Sequence, residues 1–280
     1  MDRQEDGNIS ALIGKIPYRI ALAGGWIDQP FMSKLNPSPP GSMVVVSVEP
    51  TFRFMDRSGI ATSTREVARK LWNEKLPDGD PLELAWELYA AENDGKPEPS
   101  GSQDMVGLIY PGISRLDYDH RWEGGFFPAH IESNNDPGVA HWLEGVIHIL
   151  PVAQRPDGYS PLGEKNLDPG WIERLGQSGK RCFEAILAKN AEGLGASMNE
   201  CMKCWEALLP HTVRHPAITV DLLRILSHYQ ARYAGAMYSG CGGGYLYVAS
   251  EEVVPGSFHI QVRLAKGRSR RAKCRRNGKL

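Results

Sequence analysis

The sequence holds no apolar run approaching the roughly 18 residues that a membrane-spanning helix needs. Its first ten residues, MDRQEDGNIS, are polar where a secretory signal would be apolar. Cysteine is scarce: five in 280 residues do not make a disulfide framework, so a reducing, cytoplasmic setting is expected. No GxxxxGK[ST] occurs, which excludes a P-loop nucleotide site, and no GxSxG elbow presents a serine nucleophile. Basic and acidic residues nearly balance, 32 against 33, so no overall positive charge marks a nucleic-acid binder.

That balance conceals an asymmetry. Residues Arg263 to Leu280 carry nine Lys or Arg and no acid, so the other 262 residues, with 23 basic and 33 acidic side chains, carry −10. An acidic body is a poor nucleic-acid binder. The end of the chain, LAKGRSRRAKCRRNGKL, lacks apolar content and helical period and is expected to be disordered. It reads as a solvated terminus or, alternatively, as a tether to RNA or a membrane surface.

What is present is the composition of a globular chain, 41% apolar and 23% charged, with strands and helices mixed in no regular βαβ order. An α+β fold follows. IPYRIALA, Ile16 to Ala23, reads as a strand turning at Gly24-Gly25, and Met43 to Met55 as a second strand. Thr62, Ser63 and Thr64 precede a helix-period run through Val67 and Leu71. A helix from Pro81 to Glu92 is expected to bury Leu84, Leu88 and Ala91, and Met105 to Tyr110 reads as an apolar strand. Helices are expected over Pro169 to Lys189, Ala191 to Leu209 and Thr219 to about Ala234. A strand YLYVAS follows the glycine loop SGCGGG, and FHIQVRL reads as a last strand. Helical enrichment after Pro156 suggests lobes of residues 1–156 and 157–263, with 264–280 as the basic tail.

Three glycine-bearing segments invite comparison: ALAGGWIDQP, RSGIATSTREV and YSGCGGGYLYV. Each alone fits a tight turn, a helix entry or a close-packed strand start. The middle one is more specific, because Gly59, Thr62, Ser63 and Thr64 set a hydroxyl-rich loop at a helix N-terminus, where free N–H groups favour phosphate.

In this order the segments resemble the motifs of the GHMP small-molecule kinases. PYRIALAGGWIDQP is similar to their first motif, SGIATSTREVA to the nucleotide loop, and SGCGGGYLYV to the third motif. AENDGKPEPSGSQDMVGLIYPG resembles the stretch that supplies a metal-binding Glu and a catalytic Asp in galactokinase-like members. The resemblance spans about Pro17 to Arg263. It implies a two-lobed α+β fold with the active site between lobes, and ATP-dependent phosphorylation of a sugar or sugar-phosphate hydroxyl. The GGW-x-D-x-P form and the Gln103-Asp104 pair resemble the sugar-kinase branch that acts on the anomeric hydroxyl.

The resemblance also implies roles. Asp104 would accept the substrate hydroxyl proton, and Arg19 would neutralise the transferred phosphoryl group; a charge inside an apolar strand needs such a partner in any case. Asp28, Gly25 and Trp26 would bind the sugar. Ser58, Gly59, Ile60, Ala61, Thr62, Ser63, Thr64, Gly240, Gly242 and Gly243 would wrap the nucleotide. Ser63 and Glu92 would hold Mg²⁺ through hard oxygens. Any side chain at position 59 would intrude on the phosphates, while the fold survives because the loop lies at a cleft surface.

The chain departs from the family pattern at three points. The Pro before the nucleotide loop is absent, Arg65 stands at a normally small position, and only about 30 residues separate Asp28 from Gly59. A non-catalytic sugar- or nucleotide-binding homologue therefore remains an alternative to the kinase, with Arg65 either crowding the phosphates or adding a cation. Other constellations are poorer. His211 and His215 lack a third ligand, Cys201 and Cys204 form a single CxxC within a helix, and Cys241 is oxidation-sensitive if exposed.

Overall fold

The computed structural model describes residues 13–97, 99–123 and 126–265. The opening decapeptide and all but the first two residues of the basic tail lie outside them. A four-stranded antiparallel sheet runs in the order β1 (Tyr18–Ala21), β2 (Gly41–Val48), β3 (Ile113–Tyr118), β4 (His130–Asn134). A second, three-stranded antiparallel sheet has the order β5 (Ile147–Ala153), β7 (Gly243–Ala249), β6 (Gly235–Gly240). α1 (Pro30–Ser33) lies between β1 and β2, α2 (Thr62–Leu71), α3 (Pro81–Asn93) and α4 (Gln103–Ile109) between β2 and β3, and α5 (Pro137–Val146) leads from β4 into β5. Later in the chain are α6 (Pro169–Leu187), α7 (Ala191–Leu208) and α8 (Leu222–Gln230). The architecture is α+β.

Helix starts follow the local chemistry. Asp80, Asp136 and Asp168 each stand before a proline at the first helical position, and each carboxylate accepts from backbone N–H groups of the first turn. Asn190 and Asp221 cap α7 and α8 in the same way. α2 differs: its N-cap, Ala61, sits at φ +52° and offers no side-chain cap.

β2 is buried along its whole length, GSMVVVSV, because helices cover both faces. α4 packs on β1 and β2, and α6 lies on β2 and β3. α6 pairs with α7, which in turn packs on β6 and β7, so the helix pair joins the two sheets. The approach of α6 to β2 needs glycine. A Cβ on Gly176 would stand 2.8 Å from the Cα of Gly41, and one on Gly179 would collide with the Ser42 carbonyl.

Several expectations need correction. β2 ends at Val48, where Pro50 cannot donate to a ladder; Phe52 and Phe54 instead cluster with Phe258, at 4.8 Å for the Phe52 pair. Met105 to Tyr110 is not a strand but the body of α4, too short a helix to show its period. α3 buries Ala85, Leu88 and Tyr89, leaving Ala91 exposed. α8 begins only after its Asp221 cap. The residues before the glycine loop form β6, a strand the sequence did not announce. FHIQVRL forms only isolated bridges, Phe258 with Ile149 and Val262 with Val48, and so touches both sheets.

Candidate active site

A cavity of about 490 Å³ opens where the first motif, the entry to α2, the start of α4 and the β6–β7 turn converge. Five basic and three acidic side chains line it, which favours an anionic ligand.

Arg19 reaches the cavity from β1 and is 5% exposed. Its side chain passes over α4 at Gly107, where a Cβ would collide with it, so the helix accepts a glycine to let the arginine through. The guanidinium pairs with Asp104 and donates to the Gly59 carbonyl at 3.4 Å. Burial lowers its pKa to about 10. Asp104 occupies the first turn of α4, where the helix dipole favours a carboxylate. Thr64 donates to its second oxygen at 3.3 Å. Arg19 and Thr64 thus fix both carboxylate oxygens.

Asp28 is buried beside this pair. Desolvation raises its pKa to about 6, against the opposing pull of Arg19. Gln103 donates to Oδ1 at 3.3 Å, and Oδ2 has no partner. The Gln-Asp pair therefore serves one acid and one base: Gln103 holds Asp28, and Asp104 meets Arg19. Gly25 packs against Trp205, whose indole donates to the Gly25 carbonyl at 3.0 Å. Trp26, at φ +81°, is half-buried on the cavity wall, 6.3 Å from the Phe31 ring.

The two glycine loops meet in direct contact. Gly59 has φ +80°, and a Cβ there would stand 2.6 Å from the Ser239 carbonyl and 2.7 Å from the Gly240 Cα. This overturns the expectation that position 59 lies free at a cleft surface, because the close approach is to the neighbouring loop. Gly59, Ala61, Thr62, Ser63 and Gly240 line the cavity. Ser58 is buried, with Oγ donating to the Met55 carbonyl at 2.6 Å, and Ile60 is in the core. Gly242 and Gly243 lie outside the lining; Gly242 packs on the Tyr159 ring.

Arg65 points elsewhere. It is 3% exposed, donates to the Ile16 carbonyl at 2.9 Å and to that of Ile13, and lies 4.1 Å over the Tyr18 ring. It neither crowds the cavity nor adds a cation to it, since those contacts turn it toward the chain before β1.

Glu92, near the end of α3, lines the cavity with its side chain only 10% exposed. Ser100 donates to Oε1 at 3.3 Å and Lys96 lies 3.6 Å from the same oxygen, while the buried Oε2 has no partner. Ser63 is exposed on the same lining. Among the described residues no three His, Cys, Asp or Glu side chains converge to cage a metal. An orphaned carboxylate oxygen and a hydroxyl nevertheless suit Mg²⁺, which commonly takes one or two carboxylates together with substrate phosphates.

Sequence reasoning missed the segment 154–168, which supplies Arg155, Leu162 and Lys165, and it missed Ser239 and Trp205. Ser239 stands inside the third motif, SGCGGGYLYV; the others belong to no recognisable pattern and arrive through the tertiary fold. Cys241 is 4% exposed, and burial pushes its thiol pKa up, so the condition for ready oxidation is not met. Cys201 accepts from the Gly24 N–H at 3.3 Å within the core. The His211 and His215 rings stack edge to face at 5.0 Å. Among the described residues no helix is long and apolar enough to cross a membrane.

No protein-family model matches the sequence, and no curated protein matches it. Solved structures do. A mevalonate kinase superposes with a TM-score of 0.59 at 11% identity, covering 90% of this chain and 99% of its own. A D-glycero-D-manno-heptose 1-phosphate kinase from Bacteriodes thetaiotaomicron gives 0.53 at 11% identity, covering 89% and 95%. Lactococcus lactis galactokinase, complexed with galactose, gives 0.52 at 13% identity, covering 85% of each chain. At these identities the likeness is one of fold, and by that likeness the chain has the GHMP-kinase fold that its motifs resemble.

Proposed function

We propose that this protein is an ATP-dependent kinase acting on a hydroxyl of a sugar or sugar phosphate, with the anomeric hydroxyl as the acceptor. The observation that carries this reading is the meeting of Asp104, Arg19 and the Gly59 loop on one wall of a cavity with a basic lining. The acceptor oxygen attacks the γ-phosphorus as its proton passes to Asp104. The bond from that phosphorus to the bridging oxygen breaks, and ADP leaves with the electron pair. Arg19, bound to Asp104, faces the charge that spreads over the transferred oxygens.

Asp28, with one free buried oxygen, would bind a sugar hydroxyl, and Trp26 would offer an apolar face. The uncapped N-terminus of α2 would receive phosphate oxygens. Ser63 and Glu92 would hold Mg²⁺, which supplies charge neutralisation at the phosphates. The test is ATP consumption across a panel of free and phosphorylated hexoses, deoxyhexoses and heptoses. A productive sugar identifies the acceptor. Nucleotide or sugar binding without turnover on any member of the panel would instead favour the non-catalytic homologue.

A further inference from the structure

Arg19 and Ser47 stand opposite each other on β1 and β2, and directly opposed residues of an antiparallel pair share a face of the sheet. Arg19 pairs with Asp104 in the first turn of α4. Ser47 is tied to the far end of the same helix. Arg263, on the segment that follows Phe258, donates through Nε to the Ser47 Oγ at 2.9 Å. Its Nη2 donates to the carbonyls of Leu108 at 3.2 Å and Ile109 at 2.6 Å. The two ends of α4 are therefore fastened to one rung of the four-stranded sheet.

A seven-residue helix, about 10 Å long, is too short to be stable on its own hydrogen bonds. Its last carbonyls lack partners within the helix, and Arg263 meets them with a cation at the negative end of the dipole. Burial lowers the Arg263 pKa, while Glu49 opposes that shift. The backbone of Arg263 is fixed as well: its N–H donates to the Ser47 carbonyl at 2.8 Å, and its carbonyl accepts from the Gly112 N–H at 2.7 Å. Glu144 holds the preceding residue, its Oε1 accepting from the Val262 N–H at 2.7 Å. At the other end of α4, Gly107 lies so close on Arg19 that a shift of the helix along its axis would drive Asp104 across the guanidinium.

We infer that Arg263 is a positioning residue for Asp104, setting α4 along its axis so that the carboxylate meets the acceptor hydroxyl. The inference rests on the phosphotransfer reading, in which Asp104 takes that proton. Arg263 does not line the cavity, so it acts only through the helix. Lysine cannot replace it, because one ammonium does not span Ser47 and the two helix carbonyls as the fixed fork of a guanidinium does. A displacement of about 1 Å at a reacting group is enough to cost on the order of a hundredfold in rate.

The test is a double-mutant cycle in the full chain: wild type, Arg263→Ala, Asp104→Asn and the combined variant, each assayed well below its melting temperature. Arg263→Ala is expected to lower kcat by roughly tenfold to a hundredfold, with the KM for ATP little changed. In the Asp104→Asn background the same substitution should change kcat by less than about twofold, because the group it positions is gone. An equal loss in both backgrounds would show a general weakening of the fold, and an unchanged kcat in Arg263→Ala would show that α4 keeps its place without the arginine. Either result overturns the inference. If Arg263→Ala does not fold, Arg263→Lys takes its place in the cycle, with the same outcomes. Failure of the kinase reading shows separately, as a wild-type protein that turns over no member of the sugar panel, and it removes this inference as well.

Discussion

Gly59 and Gly240 pack backbone against backbone: a Cβ built on Gly59 would stand 2.7 Å from the Cα of Gly240, and one built on Gly240 would stand 2.8 Å from the Cα of Gly59. The two residues are far apart in sequence, yet neither tolerates a side chain toward the other. Gly59→Val therefore costs stability as well as nucleotide binding. The positive φ alone costs about 1–3 kcal/mol for a branched residue, before any overlap. A lowered melting temperature in Gly59→Val and in Gly240→Ala is the expected outcome. A Gly59→Val protein as stable as wild type would refute this packing.

Arg65→Ala is expected to separate fold from function. The side chain satisfies two backbone carbonyls and covers the Tyr18 ring, so its loss costs on the order of 2–4 kcal/mol. Nucleotide affinity, measured by calorimetry below the melting temperature, should not change. A shift in affinity without a shift in stability would contradict the position of Arg65 outside the cavity.

Asp104→Asn removes the proton acceptor and leaves a similar shape. Turnover should fall by roughly two to four orders of magnitude while MgATP still binds. Arg19 loses its counter-ion in the same variant, so the melting temperature falls too. Undiminished turnover would take Asp104 out of the proposed chemistry.

Asp28 links the site to pH. Its folded pKa of about 6 lies above the ordinary 3.8, so between these values the folded protein holds more protons than the unfolded chain. For this group stability is thus highest below about pH 4, declines as pH rises to about 6, and levels off above it. Asp28→Asn should raise stability at pH 8 by an amount on the order of 3 kcal/mol and flatten the profile between pH 4 and 6. Sugar affinity should fall in the same variant. Denaturation at a series of pH values checks the first statement, and an unaltered profile would show that Asp28 ionises normally.

Glu92→Gln should raise the Mg²⁺ concentration required for turnover more than it changes sugar affinity. A Mg²⁺ titration superimposable on that of the wild type would remove Glu92 from the metal site.

The parts of the fold that were legible in the sequence are those set by local chemistry. Asp-Pro pairs at 80–81, 136–137 and 168–169 mark helix starts because the carboxylate and the proline each solve the same problem at an N-terminus. The long period of α6 and α7 marks their buried faces. α4 was misread because seven residues, all buried from Met105 onward, carry no contrast between faces. In the candidate site, Asp28, Glu92 and Asp104 were legible through motif order, and all three line one cavity. Arg155 was not, because an arginine in an irregular segment has no pattern until the fold sets it beside Gly240. The roles of Arg65 and Gly59 were invisible for the same reason: their partners, Ile13, Ile16 and Gly240, are contacts at a distance.

The glycine-mediated seat of α6 on β2 bears on how this protein can adapt. With Gly176 and Gly179 bringing helix backbone onto strand backbone, no layer of side chains lies between them to slide or repack. Mutations there are met as collisions and not as adjustments, so this half of the molecule is a fixed chassis for Arg19. Variation in substrate size must be absorbed elsewhere. The irregular segment 154–168 is the part of the wall that carries no such constraint, and it is where a search for altered acceptor range should place its mutations.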